Sequence, residues 1–288
     1  MTSRVAATGG AALVVAGAIS IQTSAALVVP VFRQLGPSAT SAWRFCLGAV
    51  ILLLITRPSL RRWSRAQWSG ALLMGLSTAF MNLCFYQALA RIPLGTAVTI
   101  EFLGPLTVAV LGRHSWRHAL WAVPGGLGVV LLSHPGGGVT VVGALFALGS
   151  GVGWAGYVFA SHRVGGETPG FAGLAVAMSV AALVSSPFAL TRVGELVHHP
   201  NLLARLSLVA ALSIVAGFAA EMQALRLVSP SVVGVLLSFD PAVAFGVGLV
   251  ALHEHVTGWV LTGLVLVVSA GIGVTWTSSS VVAPREVG

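Results

Sequence analysis

Lysine is missing altogether: all fifteen basic residues of the 288 are Arg, and only seven residues are Asp or Glu. Charged residues make up 8% of the chain, against roughly 25% in a soluble domain. So few charges cannot cover a water-facing surface, which excludes an ordinary soluble globular protein. The two cysteines, Cys46 and Cys84, both lie in apolar runs. They offer neither a disulfide framework nor metal-ligand spacing and read as small buried hydrophobes. No glycine-rich phosphate loop ending in Lys-Ser or Lys-Thr is present, so ATP drive is unsupported. The one histidine-rich triplet, His253-Glu254-His255, lacks the i, i+4 His spacing of a helical zinc site and reads as a solvated turn at a membrane interface. No nucleophile with its base and no metal set is recognisable. Neither an enzyme nor a resident cofactor or metal is expected.

What the sequence has instead is hydrocarbon: 56% hydrophobic residues and a mean hydropathy of +0.95. Ten apolar runs are marked, at 8–32, 38–56, 67–90, 94–112, 119–133, 140–161, 170–191, 203–226, 230–250 and 257–277. Turn signals such as Gly36-Pro37, Arg57-Pro58, Thr168-Pro169 and His199-Pro200 separate them. About 20 apolar residues suffice for a helix to cross a bilayer, so an all-α, multi-pass membrane protein is expected. The first run is too long for the apolar core of a signal peptide and is taken as a retained helix. The formal net charge of +8 does not imply nucleic acid, because the Arg residues stand singly or in short clusters between apolar runs. They report topology. With the N-terminus inside, ten Arg fall on cytoplasmic segments and four (Arg33, Arg91, Arg192, Arg205) on outer ones, with Arg44 inside the second run. Both termini are therefore expected in the cytoplasm, with the chain in the cell (inner) membrane.

The sequence also repeats itself. "YQALARIPLGTAVTIEFLGPLTVAVLG" (Tyr86–Gly112) aligns without a gap on "MQALRLVSPSVVGVLLSFDPAVAFGVG" (Met222–Gly248), matching Pro105 to Pro241 and Gly112 to Gly248. The expectation is ten transmembrane helices in two five-helix repeats, residues 1–137 and 138–288. An odd number of helices per half inverts the second half, and inverted repeats place a transporter's substrate site near the midplane between them.

These segments, with "SIQTSAALVVPVF", "WRFCLGAVILLL" and "GVGWAGYVFASHR", resemble the EamA-type branch of the drug/metabolite transporter superfamily, and within it the threonine/homoserine exporter group. The resemblance covers nearly the whole chain. It implies efflux of small amino acids or related metabolites driven by an ion gradient, with protons as the expected coupling ion. Two features depart from the family pattern. Asp240 stands where Glu is usual before the proline of the ninth helix, and His253-Glu254-His255 replaces Gly-Glu-Arg or Gly-Glu-Thr. Both leave the substrate open, and export of drugs or cationic metabolites is the alternative.

Within the runs a few polar groups stand out. Glu101 lies inside "VTIEFLGPLTVAV", where a charged group costs roughly 2.5–3.5 kcal/mol to insert. It and Asp240 are the candidates for binding a proton or a substrate ammonium. The bland alternative is a neutral acid, or a fixed pair with Arg44, which is itself the one basic candidate for facing the cavity as a substrate or coupling residue. Glu221, near Arg226, is either a site residue or half of a structural pair. Gln22 and Asn82 are candidates for facing the substrate. Tyr86, Gln87 and Gln223 serve equally well as polar glue between helices or as holders of an amino-acid substrate's carboxylate and amine. Trp154 and Tyr157, in the middle of a run, are candidates for lining a pocket. The Gly149–Gly153 stretch reads as close helix packing, and Glu254 as part of the helix start at Thr257. Pro105, Pro187 and Pro241 are expected to kink their helices, with Pro105 and Pro241 as hinges beside the carboxyls.

Overall fold

A computed structural model describes residues 2–111, 116–132, 139–167, 171–227 and 236–279. Among them there is no strand. The helices are α1 (Thr2–Val28), α2 (Phe32–Leu35), α3 (Pro37–Thr56), α4 (Arg65–Leu89), α5 (Leu94–Glu101), α6 (Leu103–Leu111), α7 (Trp116–Leu132), α8 (Val141–Glu167) and α9 (Ala172–Leu190). They continue with α10 (Val193–His198), α11 (Pro200–Ala210), a π-helical stretch Ala211–Phe218, α12 (Ala219–Leu227), α13 (Asp240–Ala251) and α14 (Gly258–Ser279).

Local chemistry sets the boundaries. Gly36 adopts φ 73°, and Pro37 follows at the first turn of α3, where its missing N–H needs no partner. Arg57, at φ 42°, ends the same helix in a left-handed cap. Ser64 and Gln67 form a reciprocal capping box at the start of α4.

Six segments are long and apolar enough to span a membrane: Gly9–Leu35, Pro37–Thr56, Arg65–Leu89, Val141–Ala160, Ala172–Leu190 and Pro200–Glu221. Four shorter apolar helices, Leu94–Val108, Val123–Leu132, Asp240–Ala251 and Gly258–Val274, fall on the other four apolar runs. Leu54, Val130, Leu183, Val250 and Val265 are among the large apolar side chains left exposed. Such an exterior belongs in lipid, and the chain is a multi-pass membrane protein.

The main packing joins early helices to late ones: α3 to α9, α4 to α8 and α9, α5 to α13, α7 to α14, and α1 to α12 and the π stretch. One of the two large buried clusters among the described residues, around Phe45, Met74, Leu174, Met178 and Ile214, therefore draws on both halves of the sequence. Glycines permit the closest approach. A Cβ on Gly104 would land on the backbone of Gly151, and one on Gly151 would lie 2.7 Å from the Glu101 carbonyl oxygen.

The prolines behave differently from one another. The fourth run breaks at Phe102, between α5 and α6. Pro105 carries no N–H, so the Glu101 carbonyl lacks its i+4 donor there. Pro187 lies inside α9 as expected, and the Ser186 hydroxyl bonds the Leu183 carbonyl at 2.7 Å, the acceptor that Pro187 cannot serve. Pro241 corrects the expectation. It occupies the first turn of α13 rather than a helix interior, after a turn at Ser238-Phe239. No intrahelical bond is lost there, so no kink is required.

Candidate functional site

Helices α1, α3, α4, α5, α8, α12 and α13, with the π-helical stretch, meet around one cavity of about 760 Å³, open mouth included. Its walls include Gln22 of α1, Arg44 of α3, Asn82 and Tyr86 of α4, Glu101 at the end of α5, Glu221 of α12 and Asp240 at the start of α13. Six of the seven side chains singled out from the sequence as substrate or coupling residues thus share one space. Tyr157 is the exception and corrects its expectation. It is buried in the cluster with Phe45 and Met178 and packs on Phe218, ring centroids 5.9 Å apart. Trp154, nearly one turn earlier, lines the cavity instead and meets Phe102 edge-on at 6.1 Å.

Arg44 is only 4% exposed. Its Nη2 donates to Asn82 Oδ1 at 2.5 Å, and Asn82 Nδ2 donates to the Thr78 carbonyl at 3.0 Å. The guanidinium also stands over the rings of Phe45 and Tyr86, at 4.8 and 5.1 Å. The fixed pair between Glu101 and Arg44, weighed from the sequence, is not formed. Arg44 Nε, Gln22 Oε1 and the Tyr86 hydroxyl have no hydrogen-bond partner among the described residues. A buried polar group left in that state costs about 1–3 kcal/mol, so these atoms are suited to receive a ligand's polar groups.

The two central carboxyls are held by neutral groups. Gln22 Nε2 donates to Asp240 Oδ2 at 2.9 Å. Asp240 is the first residue of α13, where unpaired backbone N–H groups and the helix dipole favour negative charge. Glu101 is hydrogen-bonded to the hydroxyl of Ser150, which also bonds the Met81 carbonyl at 2.8 Å. Sequence reasoning missed Ser150, taking the Gly149–Gly153 stretch for packing alone. The available signal was its spacing: Ser150 stands four residues before Trp154, on the same helix face. Glu221 lines the cavity, while the side chain of Arg226 lies outside the described residues. The hinge candidates Pro105 and Pro241 flank the two carboxyls along the chain without lining the cavity.

Two further polar residues take partners away from the cavity. Gln87 is polar glue, donating to Ser38 Oγ at 2.8 Å and accepting from Arg91 Nη1 at 2.5 Å. Glu254 does not serve the helix start at Thr257, whose own hydroxyl accepts from Val260 N at 3.4 Å. It reaches across to α5, where Glu254 Oε1 accepts from Leu94 N at 2.7 Å. Burial pushes the Glu254 carboxyl above its ordinary range, and the backbone N–H groups of Leu94 and Gly95 oppose that shift.

The profile of the EamA-like transporter family matches this chain twice, over residues 8–133 and 141–276. The chain belongs to that family. The threonine/homoserine exporter RhtA of Salmonella typhimurium (strain LT2) is 34% identical over 261 residues, covering 90% of this chain and 88% of that one. RhtA of Escherichia coli K12 matches with the same identity and coverage. A crystal structure 18% identical in sequence superposes over 94% of this chain and 99% of its own, with a TM-score of 0.58. At that identity the likeness concerns the fold alone. Both segments matched by the EamA-like profile contribute to the cavity, Arg44 and Glu101 from the first and Glu221 and Asp240 from the second.

Proposed function

We propose that this chain is a secondary-active exporter of small amino acids of the threonine/homoserine type, or of closely related metabolites, working by proton antiport. The observation that carries the reading is the cavity's charge pattern. One buried guanidinium and three carboxyl groups face a single space, complementary to the carboxylate and ammonium of a zwitterion. In this reading Arg44 and Asn82 take the substrate carboxylate. Asp240, Glu101 and Glu221 take the ammonium or a proton, and Gln22 orients Asp240. The 34% identity to the RhtA proteins supports the same substrate class. Antiport suits an exporter because an inward proton gradient is available to the cell.

The proposed architecture is ten crossings in two five-helix halves, 1–137 and 138–288, the second inverted. The six long and four shorter apolar helices and the twofold profile match support it. The Arg distribution supports an inner-membrane location with both termini in the cytoplasm. Rocking of one half against the other would expose the midplane site to each side in turn.

Export of cationic metabolites or drugs is the second reading, favoured by the Phe85, Trp154 and Phe218 rings on the same walls. Efflux of threonine, homoserine and a lipophilic cation from preloaded cells separates the two. At matched membrane levels, Arg44→Gln and Glu101→Gln should each abolish amino-acid efflux. Amino-acid efflux unchanged in both variants would overturn the proposal. Cation efflux that depends on Glu101 but not on Arg44 would favour the second reading.

A further inference from the structure

Ser150 sits where two acceptors meet. Its side chain is fully buried, and its hydroxyl bonds both the Met81 carbonyl of α4 and the Glu101 carboxyl group of α5. A hydroxyl has one hydrogen and two lone pairs, whereas a carbonyl oxygen only accepts. The two contacts are therefore both satisfied in one arrangement only: Glu101 carries the proton and donates to Ser150, and Ser150 donates to Met81. When Glu101 is ionised, Ser150 has a single hydrogen for two acceptors. Turning it to the carboxylate leaves two oxygens facing each other at the α4–α8 contact.

That contact has no slack. A Cβ on Gly153 would lie 2.7 Å from Met81 Cα, and one on Gly149 would lie 3.3 Å from Cys84 Sγ. The residue after Met81 is Asn82, which holds Arg44. Met81 and Asn82 both line the cavity, so a strain at Met81 is adjacent in the chain to the amide that orients the guanidinium.

We propose that Ser150 is the positioning residue that couples the proton on Glu101 to the Arg44–Asn82 end of the site. Proton loss by Glu101 breaks the Ser150–Met81 bond, shifts α4 at Met81-Asn82 and changes the hold on a substrate carboxylate. The inference rests on the proton-coupled reading above. Among the described residues, the other titratable or charged groups sharing the cavity are Arg44 of α3, Tyr86 of α4, Glu221 of α12 and Asp240 of α13. Cys84 of α4 faces α8 at Gly149, and α1 and α8 bring only uncharged groups to the cavity.

The test uses the full chain in proteoliposomes with threonine as the probe. Two rates are measured across a range of pH: threonine exchange without a pH gradient, and uphill transport driven by one. Ser150→Ala should keep exchange but lower the ratio of driven transport to exchange about tenfold, within the usual span of coupling between sites. It should also flatten the pH profile, and Ser150→Cys, which keeps a weak donor at similar size, should recover both in part. Should Ser150→Ala fail to accumulate, Ser150→Cys, a weak donor, should give an intermediate ratio. A wild-type ratio and pH profile in Ser150→Ala, or in Ser150→Cys where that variant is used, overturns this inference alone. A wild type with no driven transport at all overturns the proton reading, and the inference with it.

Discussion

Gly104→Ala is the sharpest test of how closely the site is built. An added Cβ would stand 2.5 Å from the carbonyl carbon of Gly151 and 2.8 Å from its Cα, in addition to overlapping the carbonyl oxygen. Carbon atoms pack best at about 3.5–4.0 Å, so α6 and α8 must part by about 1 Å. Backbone cannot rotate out of the way as a side-chain tip can. Overpacking of this kind costs about 1–3 kcal/mol, occasionally more. The displaced segments carry Glu101, three residues before Gly104, and Ser150, the neighbour of Gly151, so the damage should extend beyond stability. Thermal unfolding of detergent-purified protein should show a clear loss, and threonine efflux should fall more than the membrane level does. Gly246→Ala is the control, since nothing stands within 4 Å of its added Cβ. Replacing a glycine within a helix should there gain about 0.5–1 kcal/mol. A Gly104→Ala protein as stable and as active as wild type would refute the packing argument.

Three other outcomes follow from the geometry. Arg44→Lys should lose at least about tenfold in amino-acid efflux at matched expression, because a point ammonium cannot keep the guanidinium's fork toward Asn82 while offering Nε to a substrate; efflux within twofold of wild type would count against Arg44 as the carboxylate end. Pro105→Ala should restore a donor to the Glu101 carbonyl and straighten the α5–α6 break, slowing efflux while membrane insertion stays normal; an unchanged rate would remove the hinge. For Glu254, burial raises the folded-state carboxyl above its unfolded value, so the fold binds that proton more readily than the unfolded chain and gains stability as pH falls through the raised value. Glu254→Gln should remove this component, giving a flatter dependence of unfolding temperature on pH in the acidic-to-neutral range, and equal slopes in the two proteins would contradict it.

Much of this arrangement was legible along the chain, for physical reasons that can be named. A polar side chain in a run that must face hydrocarbon has few places to go, so Gln22, Arg44, Asn82, Glu101, Glu221 and Asp240 could be expected in one interior space. Depth was harder to read than face. Tyr157 follows Trp154 by about 4.5 Å of helix rise, which is enough to carry it past the cavity into the core beside Phe218. Partners distant in sequence gave no local signal, as with Glu254 reaching the start of α5 and Ser150 joining α4 to α5. The π-helical stretch Ala211–Phe218 brings Ser213 and Phe218 to the cavity, and no simple period in the sequence announces it.

The internal repeat invites the idea that Glu101 and Asp240 are equivalent carboxyls, and the register argues otherwise. With Pro105 on Pro241, Glu101 aligns with Leu237 and Asp240 aligns with Gly104. Where the second half places a carboxyl at a helix start, the first half has its tightest backbone contact, Gly104 on Gly151. Where the first half places Glu101, the second presents the apolar Leu237 to the same cavity. The environments differ as well: Asp240 receives an amide N–H from Gln22 at a helix N-terminus, whereas Glu101 meets a hydroxyl that is also committed to Met81. A donor that keeps its hydrogen and a helix dipole suit a carboxylate that stays charged and holds an ammonium. A hydroxyl shared between two acceptors suits a carboxyl that gains and loses its proton. In the proposed exchange, these departures from the repeat would divide the two tasks between the two acids.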